Sequence, residues 1–322
     1  MTPPPLVAEF APARAGSGSF TIDEAVGVRS LLADGSRLVR PRIAVMVLAT
    51  VAAAAWLTGG QPDDVRPLLW VLLGTGLVAA SSSIANQIIE RDADRLMKRT
   101  ADRPIVEGRL SVPAAWMIAV GALALGGFLC WLASGWQPAA VAVATWLLYV
   151  LIYTPLKRIT PLNTAVGAVA GALPVAIGWL VADGPARLAA GDARGALAVA
   201  SLATVLYLWQ FPHFMAIAWL YRAQYAAAGM RMLTVVDPTG LRAAGQSMVA
   251  AILLMPAALV LAVPSGSVRM FLSAAIAGSV YLVATIQFAV RRDDVSARFL
   301  VLSSVGALLG LLAAASMFGG PS

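Results

Sequence analysis

The sequence predicts an all-α, polytopic membrane protein with nine transmembrane helices. Three observations predict it. Of 322 residues, 60% are hydrophobic and only 12% are charged, whereas a soluble domain carries about 25% charged residues. Nine apolar runs come close to or exceed the length of about 20 residues that crosses a bilayer as a helix. The Lys and Arg residues also gather in every second connection between those runs. A helix satisfies its own backbone in lipid, which makes it the natural form for such runs.

In chain order the expected spans are 42–58, 67–89, 113–134, 137–154, 162–182, 196–220, 246–263, 269–290 and 299–317. Nineteen of the 23 Lys and Arg residues lie at or before the start of the first span and in segments 91–112, 155–161, 221–245 and 291–298. Only Arg66, Arg187, Arg194 and Arg269 fall on the other side. Positive charge stays cytoplasmic, so the expected topology has the N-terminus inside and the C-terminus outside. Topology accounts for most of the net charge of +7 without any nucleic acid. Cys130, the one cysteine, sits in an apolar run and reads as a small hydrophobe.

Residues 1–40 are rich in Pro, Ala, Gly and Ser and have no apolar stretch of the signal-peptide kind. They are expected to form a disordered or amphipathic cytoplasmic tail, with 22–39 as the amphipathic part, ahead of a membrane domain over 41–322. The absence of an Arg- and Ser-rich amphipathic presequence favours a bacterial inner membrane.

The end of the second span carries the strongest chemical signal. Residues 86–105 read NQIIERDADRLMKRTADRPI, with four acids and five bases. Asn86, Glu90 and Asp94 are spaced i, i+4, i+8, so they lie within about 80° on one helical face, and Asp92 points elsewhere. Two carboxylates and an amide oxygen make a hard-oxygen site suited to Mg²⁺, which leaves positions for substrate phosphates. Arg91, Arg95, Lys98, Arg99 and Arg103 follow as partners for those phosphates. The competing reading is an ordinary charged helix end with ion pairs such as Asp94–Lys98. Asn86 inside the span argues against it, because polar residues in lipid are costly.

Two further stretches matter. YTPLKRITPLN runs from Tyr153 to Asn163, where Pro155 and Pro161 are expected to end one helix and begin the next, with Lys157 and Arg158 between them. Lys157 and Arg158 also read as a topology anchor. Gly167, Gly171 and Gly178 thin the following helix for close packing or a ligand. WQFPHF runs from Trp209 to Phe214 and holds His213, the one histidine, beside Pro212 inside a span. Its aromatics suit the wall of a pocket for a flat apolar ligand, and a packed core histidine is the alternative.

Together these segments resemble the UbiA superfamily of intramembrane prenyltransferases, and within it the branch that farnesylates heme. The family's N-x-x-x-D-x-x-x-D appears as Asn86, Glu90 and Asp94, with Glu in place of the first Asp. Met97, Arg99, Thr100, Arg103 and Pro104 match M-x-R-T-x-x-R-P; YTPLKRITPLN, WQFPHF and AGMRMLTVV match three more family segments. The resemblance covers residues 40–317 and implies a nine-helix UbiA-like bundle.

The resemblance also implies an activity: Mg²⁺-dependent transfer of the farnesyl group of farnesyl diphosphate to a vinyl group of heme b. Asn86, Glu90 and Asp94 would hold the metal, and Arg95, Lys98, Arg99, Arg103, Lys157 and Arg158 would complete the diphosphate clamp. Tyr153, Trp209, His213 and Phe214 would line the cavity, with Arg91, Asn163, Arg222 and Tyr225 as further substrate contacts. The expected partners are both substrates, the bilayer, and the next enzyme or oxidase of the heme A/O pathway. Two departures stand out: Arg222-Ala223-Gln224 occupies the place of the family's second acidic group, and Thr234 replaces a usual proline. Two alternatives stay open, a UbiA enzyme acting on a quinone precursor or chlorin, and a heme carrier or transporter. Transporters often show inverted pairs of broken helices, and no convincing pair is visible.

Overall fold

The computed structural model describes residues 24–59 and 64–319. Among them, nine helices are long and apolar enough to cross a membrane. The first to fifth spans are Pro41–Gly59, Arg66–Ile89, Val112–Ser134, Trp136–Ile159 and Asn163–Val181. The sixth to ninth are Arg194–Leu220, Leu241–Val260, Val268–Arg291 and Asp294–Phe318. A further helix, Glu24–Val39, precedes the first span and packs against the second. The expected amphipathic stretch is therefore helical over Glu24–Val39, and residues 1–23 of the tail expected over 1–40 lie outside the described residues.

Several span ends differ from expectation, each for a local reason. Pro155 does not end the fourth span. The helix opens into a π-helical stretch, Leu148–Tyr153, then continues through Pro155 to Ile159. The wider turn reroutes the backbone bonds where proline lacks its N–H, and Thr154 Oγ1 donates to the Tyr149 carbonyl at 2.9 Å. Extended Thr160 (φ −153°) ends the span instead. The seventh span starts at Leu241, after Gly240 at φ 72°, and the Arg242 N–H donates to Asp237 Oδ2 at 2.8 Å. The ninth starts at Asp294 through a reciprocal cap between Asp293 and Ser296. Each cap adds one or more polar turns that hydropathy does not register.

Two apolar cores hold the bundle. One joins the first, fifth and sixth spans to the last three, around Leu202, Met215, Tyr281 and Phe288. The other joins the first five, around Val71, Val78, Trp146 and Ile177. Lipid supplies no hydrophobic drive between helices, so close backbone approach matters. The second and third spans touch at Gly74 and Gly126, where a Cβ on either would lie 2.6 or 2.5 Å from the other's carbonyl oxygen. Gly126→Leu should force the two spans apart, at about 1–3 kcal/mol or more. Gly121→Leu, at an exposed position with open space around it, should be neutral. Thermal unfolding in detergent checks this, and equal Tm values for the two variants would contradict it.

Candidate active site at the basic end of the bundle

The second span hands over to a short helix, Arg91–Arg95, through Glu90. The Glu90 N–H donates to the Asn86 carbonyl at 2.9 Å and the Asp94 N–H to the Glu90 carbonyl at 2.8 Å. These bonds carry the four-residue register across the junction, so Asn86, Glu90 and Asp94 stay on one face. All three are buried, while Asp92 is exposed and faces Arg95 at 3.4 Å.

Each of the three has a distinct partner. Asn86 Nδ2 donates to Thr154 Oγ1 of the fourth span at 3.0 Å. Glu90 Oε1 accepts from Lys157 Nζ at 2.8 Å. Asp94 Oδ2 pairs with Arg103 Nη1, and the Thr100 hydroxyl donates to the Asp94 carbonyl at 3.0 Å. Asn86 Oδ1 and Asp94 Oδ1 are buried with no hydrogen-bond partner. Buried acceptors without partners are costly and need an explanation.

A cavity of about 200 Å³ opens beside this face. It is lined by Glu90 and Asp94, by the cations Arg40, Arg99, Arg103 and Lys157, and by Tyr153, Tyr225, Ile43, Met97, Met230 and Met232. Its walls come from the start of the first span, the ends of the second and fourth, and the segment after the sixth. A small core of Ala93, Met97, Ala218, Tyr225, Ala228, Met230 and Met232 binds two of those segments together.

Burial raises the Asp94 carboxyl above the usual carboxylate range; the Arg103 charge opposes this and the Glu90 charge adds to it. Burial likewise lowers Arg103, helped by the nearby Arg40 charge and countered by Asp94. A buried charge with incomplete partners favours the arrival of a counter-charge. Among the described residues, no group of three or more His, Cys, Asp or Glu gathers in one place. A cation here would take two carboxylates, an amide oxygen and oxygens from its ligand. That donor set fits a hard divalent ion which keeps positions for phosphate. The two orphaned oxygens meet the fit from the protein side.

The cavity collects some of the expected basic residues and leaves others out. Arg99 lies over the Tyr221 ring at 4.8 Å and donates to the Tyr225 hydroxyl at 3.2 Å. Its backbone N–H donates to Gln224 Oε1 at 3.3 Å. Gln224 thus links two loops at the place where the second acidic group is missing. Lys157 lies over the Tyr153 ring at 4.6 Å. Arg91 reaches the Ile105 carbonyl at 3.2 Å, and Arg95, Lys98 and Arg158 are exposed outside the lining. Arg222 ties the Trp219 carbonyl to Asp294 at 2.7 and 2.9 Å, away from the cavity. Asn163 is buried, and its Nδ2 donates to the Thr160 carbonyl at 2.7 Å as part of the turn into the fifth span.

The aromatic group on the sixth span is separate from the polar cavity. His213 Nδ1 lies 2.6 Å from Ser304 Oγ, and its ring stacks on Trp209 at 4.6 Å, with Phe214 at 5.8 Å. Trp209 Nε1 donates to the Ser304 carbonyl at 2.8 Å. The helix runs on through Pro212, and the Trp209 carbonyl accepts from the Tyr281 hydroxyl at 2.5 Å. Arg40 and the methionine wall of Met97, Met230 and Met232 were missed as site residues. Arg40 has a sequence signal: it is a base directly before the proline that opens the first span, at the same end as the acidic face.

Residues 47–305 match the UbiA prenyltransferase family over most of the chain. The chain belongs to the UbiA prenyltransferase family. It is 45% identical over 225 residues to a protoheme IX farnesyltransferase of Rhodopirellula baltica, covering 70% of this chain and 76% of that one. It is 38% identical over 283 residues to a protoheme IX farnesyltransferase of Solibacter usitatus, covering 84% and 94%. The fold of this UbiA member superposes on a solved digeranylgeranylglyceryl phosphate synthase structure with a TM-score of 0.73 at 14% identity, covering 89% of this chain and 98% of that one. A UbiA homologue from Archaeoglobus fulgidus, solved with DMAPP and Mg²⁺, superposes with a TM-score of 0.62 at 17% identity, covering 88% and 99%. The nine spans and the family match make the chain an integral membrane protein.

Proposed function

We propose that this UbiA enzyme transfers the farnesyl group of farnesyl diphosphate to a vinyl group of heme b, giving heme O and diphosphate. The observation that carries the site is the orphaned Asp94 Oδ1 in a cavity with four cations and two carboxylates, with the orphaned Asn86 Oδ1 on the same helical face but outside the lining. The choice of acceptor is supported by relatives that are named protoheme IX farnesyltransferase.

Asn86, Glu90 and Asp94 would hold Mg²⁺, which when bound supplies a Lewis acid for diphosphate oxygens. Arg40, Arg99, Arg103 and Lys157 bind the remaining phosphate oxygens. In the reaction the C1–O bond breaks and its electron pair leaves with diphosphate. The four cations stabilise that growing negative charge where it develops. The terminal carbon of the heme vinyl group bonds to farnesyl C1. Water then bonds to the other vinyl carbon and loses a proton, leaving a hydroxyl. Ile43, Met97, Met230 and Met232 form the apolar part of the lining and would limit the access of other water to the allylic cation. Acceptor-dependent release of diphosphate from farnesyl diphosphate, in purified protein with Mg²⁺, tests the reading. Release that is independent of heme would contradict it.

His213 serves the heme side in this proposal. Ser304 holds Nδ1, which leaves Nε2 for iron ligation or a proton. His213→Ala should raise the heme requirement or lower turnover several-fold and leave the KM for farnesyl diphosphate unchanged, because His213 is not part of the cavity lining. Unchanged kinetics for both substrates would reduce His213 to a packing residue. The proposal also places residues 41–322 in a bacterial inner membrane as one domain. The basic end and the N-terminal tail face the cytoplasm, and the C-terminus lies outside. The next enzyme or oxidase of the heme A/O pathway would take the product.

A further inference from the structure

The helix Glu24–Val39 is tied to the rest of the molecule in an unusual way. It ends at Arg40, a non-glycine residue at φ 52°. Such a backbone conformation is strained for an L-residue and persists only where its surroundings impose it. Here the backbone is pinned on both sides. The Arg40 N–H donates to the Ser36 carbonyl at 3.1 Å, and the Ile43 N–H donates to the Arg40 carbonyl at 3.0 Å. Fully buried Gln87 of the second span donates to the Leu38 carbonyl at 2.9 Å and to the Arg37 carbonyl at 3.3 Å.

The second tie is ionic. Arg109 makes a two-pronged contact with the Asp34 carboxylate, both bonds at 2.8 Å. Arg37 pairs with Asp102 at 3.2 Å. Arg109 also donates to the Asp102 carbonyl at 3.0 Å and contacts Glu107. These pairs join the surface helix to residues 102–109. That segment carries Arg103, the partner of Asp94. The two segments joined by the pairs thus each deliver one arginine, Arg40 and Arg103, to the same cavity.

We infer that the Asp34–Arg109 pair, with Arg37–Asp102, is a latch that positions Arg40 and Arg103 for the diphosphate. Asp34, Arg37, Asp102 and Arg109 are positioning residues and do not touch substrate. A surface ion pair adds little stability by itself. A two-pronged Arg–carboxylate pair does fix geometry, and geometry is what a strained arginine at a cavity rim needs. The latch is partly exposed, so salt weakens it. The inference rests on the diphosphate reading of the cavity, and its test separates the two.

The probe is inorganic diphosphate with Mg²⁺, titrated calorimetrically into the full chain in detergent. Asp34→Arg should weaken binding about tenfold. The exchange Asp34→Arg with Arg109→Asp should restore it to within about threefold of wild type. In an Arg40→Ala background, Asp34→Arg should add less than its full tenfold, because two changes that act through one contact are not additive. Full additivity there, no weakening in Asp34→Arg, or no recovery in the exchange would overturn the latch. Wild-type protein that binds no magnesium diphosphate would overturn the reading of the cavity, and the latch with it. If Asp34→Arg does not fold, Asp34→Asn should show a smaller loss in the same direction, and equality with wild type would again overturn it.

Discussion

Asp94→Asn lowers farnesyl transfer by about a thousandfold, near 4 kcal/mol in the barrier, in protein that still inserts and purifies. The change keeps the shape of a fully buried side chain and removes its charge. One oxygen still accepts from Arg103, which keeps the contact, but Arg103, 13% exposed, loses its counter-charge, so a lower Tm should accompany the loss of turnover. The orphaned Oδ1, in contrast, loses its ability to hold a cation near the diphosphate. Asp94 lies beyond the end of the second span, so membrane insertion does not depend on it. Steady-state turnover on purified variant protein checks this. Near-normal turnover would remove Asp94 from the site.

Glu90→Gln has the second largest expected effect, and it should act on stability and turnover together. The Glu90–Lys157 pair bridges the second and fourth spans, with side chains only 9% and 13% exposed. Removing one charge leaves an ammonium in a poorly hydrated place. Breaking a buried pair in this way costs about 3–5 kcal/mol, discounted here because the cavity admits some water. The tie between two cavity walls weakens at the same time, so turnover falls about a hundredfold or more. Glu90→Asp keeps the charge and shortens the reach by one methylene, and turnover should stay within about tenfold, near 1.4 kcal/mol. Lys157→Met with Glu90→Gln should recover much of the lost Tm but not the activity. Equal activity in the Gln and Asp variants would show that the carboxylate charge is not used.

The spans were legible because a bilayer demands long apolar runs, and little else in a sequence produces nine of them. The acidic face was legible because i, i+4, i+8 spacing fixes direction as long as the helix continues, and backbone bonds carry it from Asn86 to Asp94. Beyond Arg95 the chain turns, so spacing no longer says where a side chain points. Arg99, Arg103 and Lys157 enter the cavity, while Arg95, Lys98 and Arg158 stay exposed outside its lining. Nothing in their local sequence separates the two groups. Arg40 depends on a positive φ and on ties to residues more than sixty positions away, which no local pattern encodes. The π-helical stretch before Pro155 shows that a proline marks a disturbance in the backbone bonds and not necessarily a helix end.

The most direct test of the central claim is mass spectrometry of hemes extracted from cells that express the chain and lack their own heme farnesyltransferase. The account predicts heme O, formed from heme b with the farnesyl chain and one added water, and its loss in the Asp94→Asn strain. Heme b alone, with the protein present in the membrane and farnesyl diphosphate available, would contradict it.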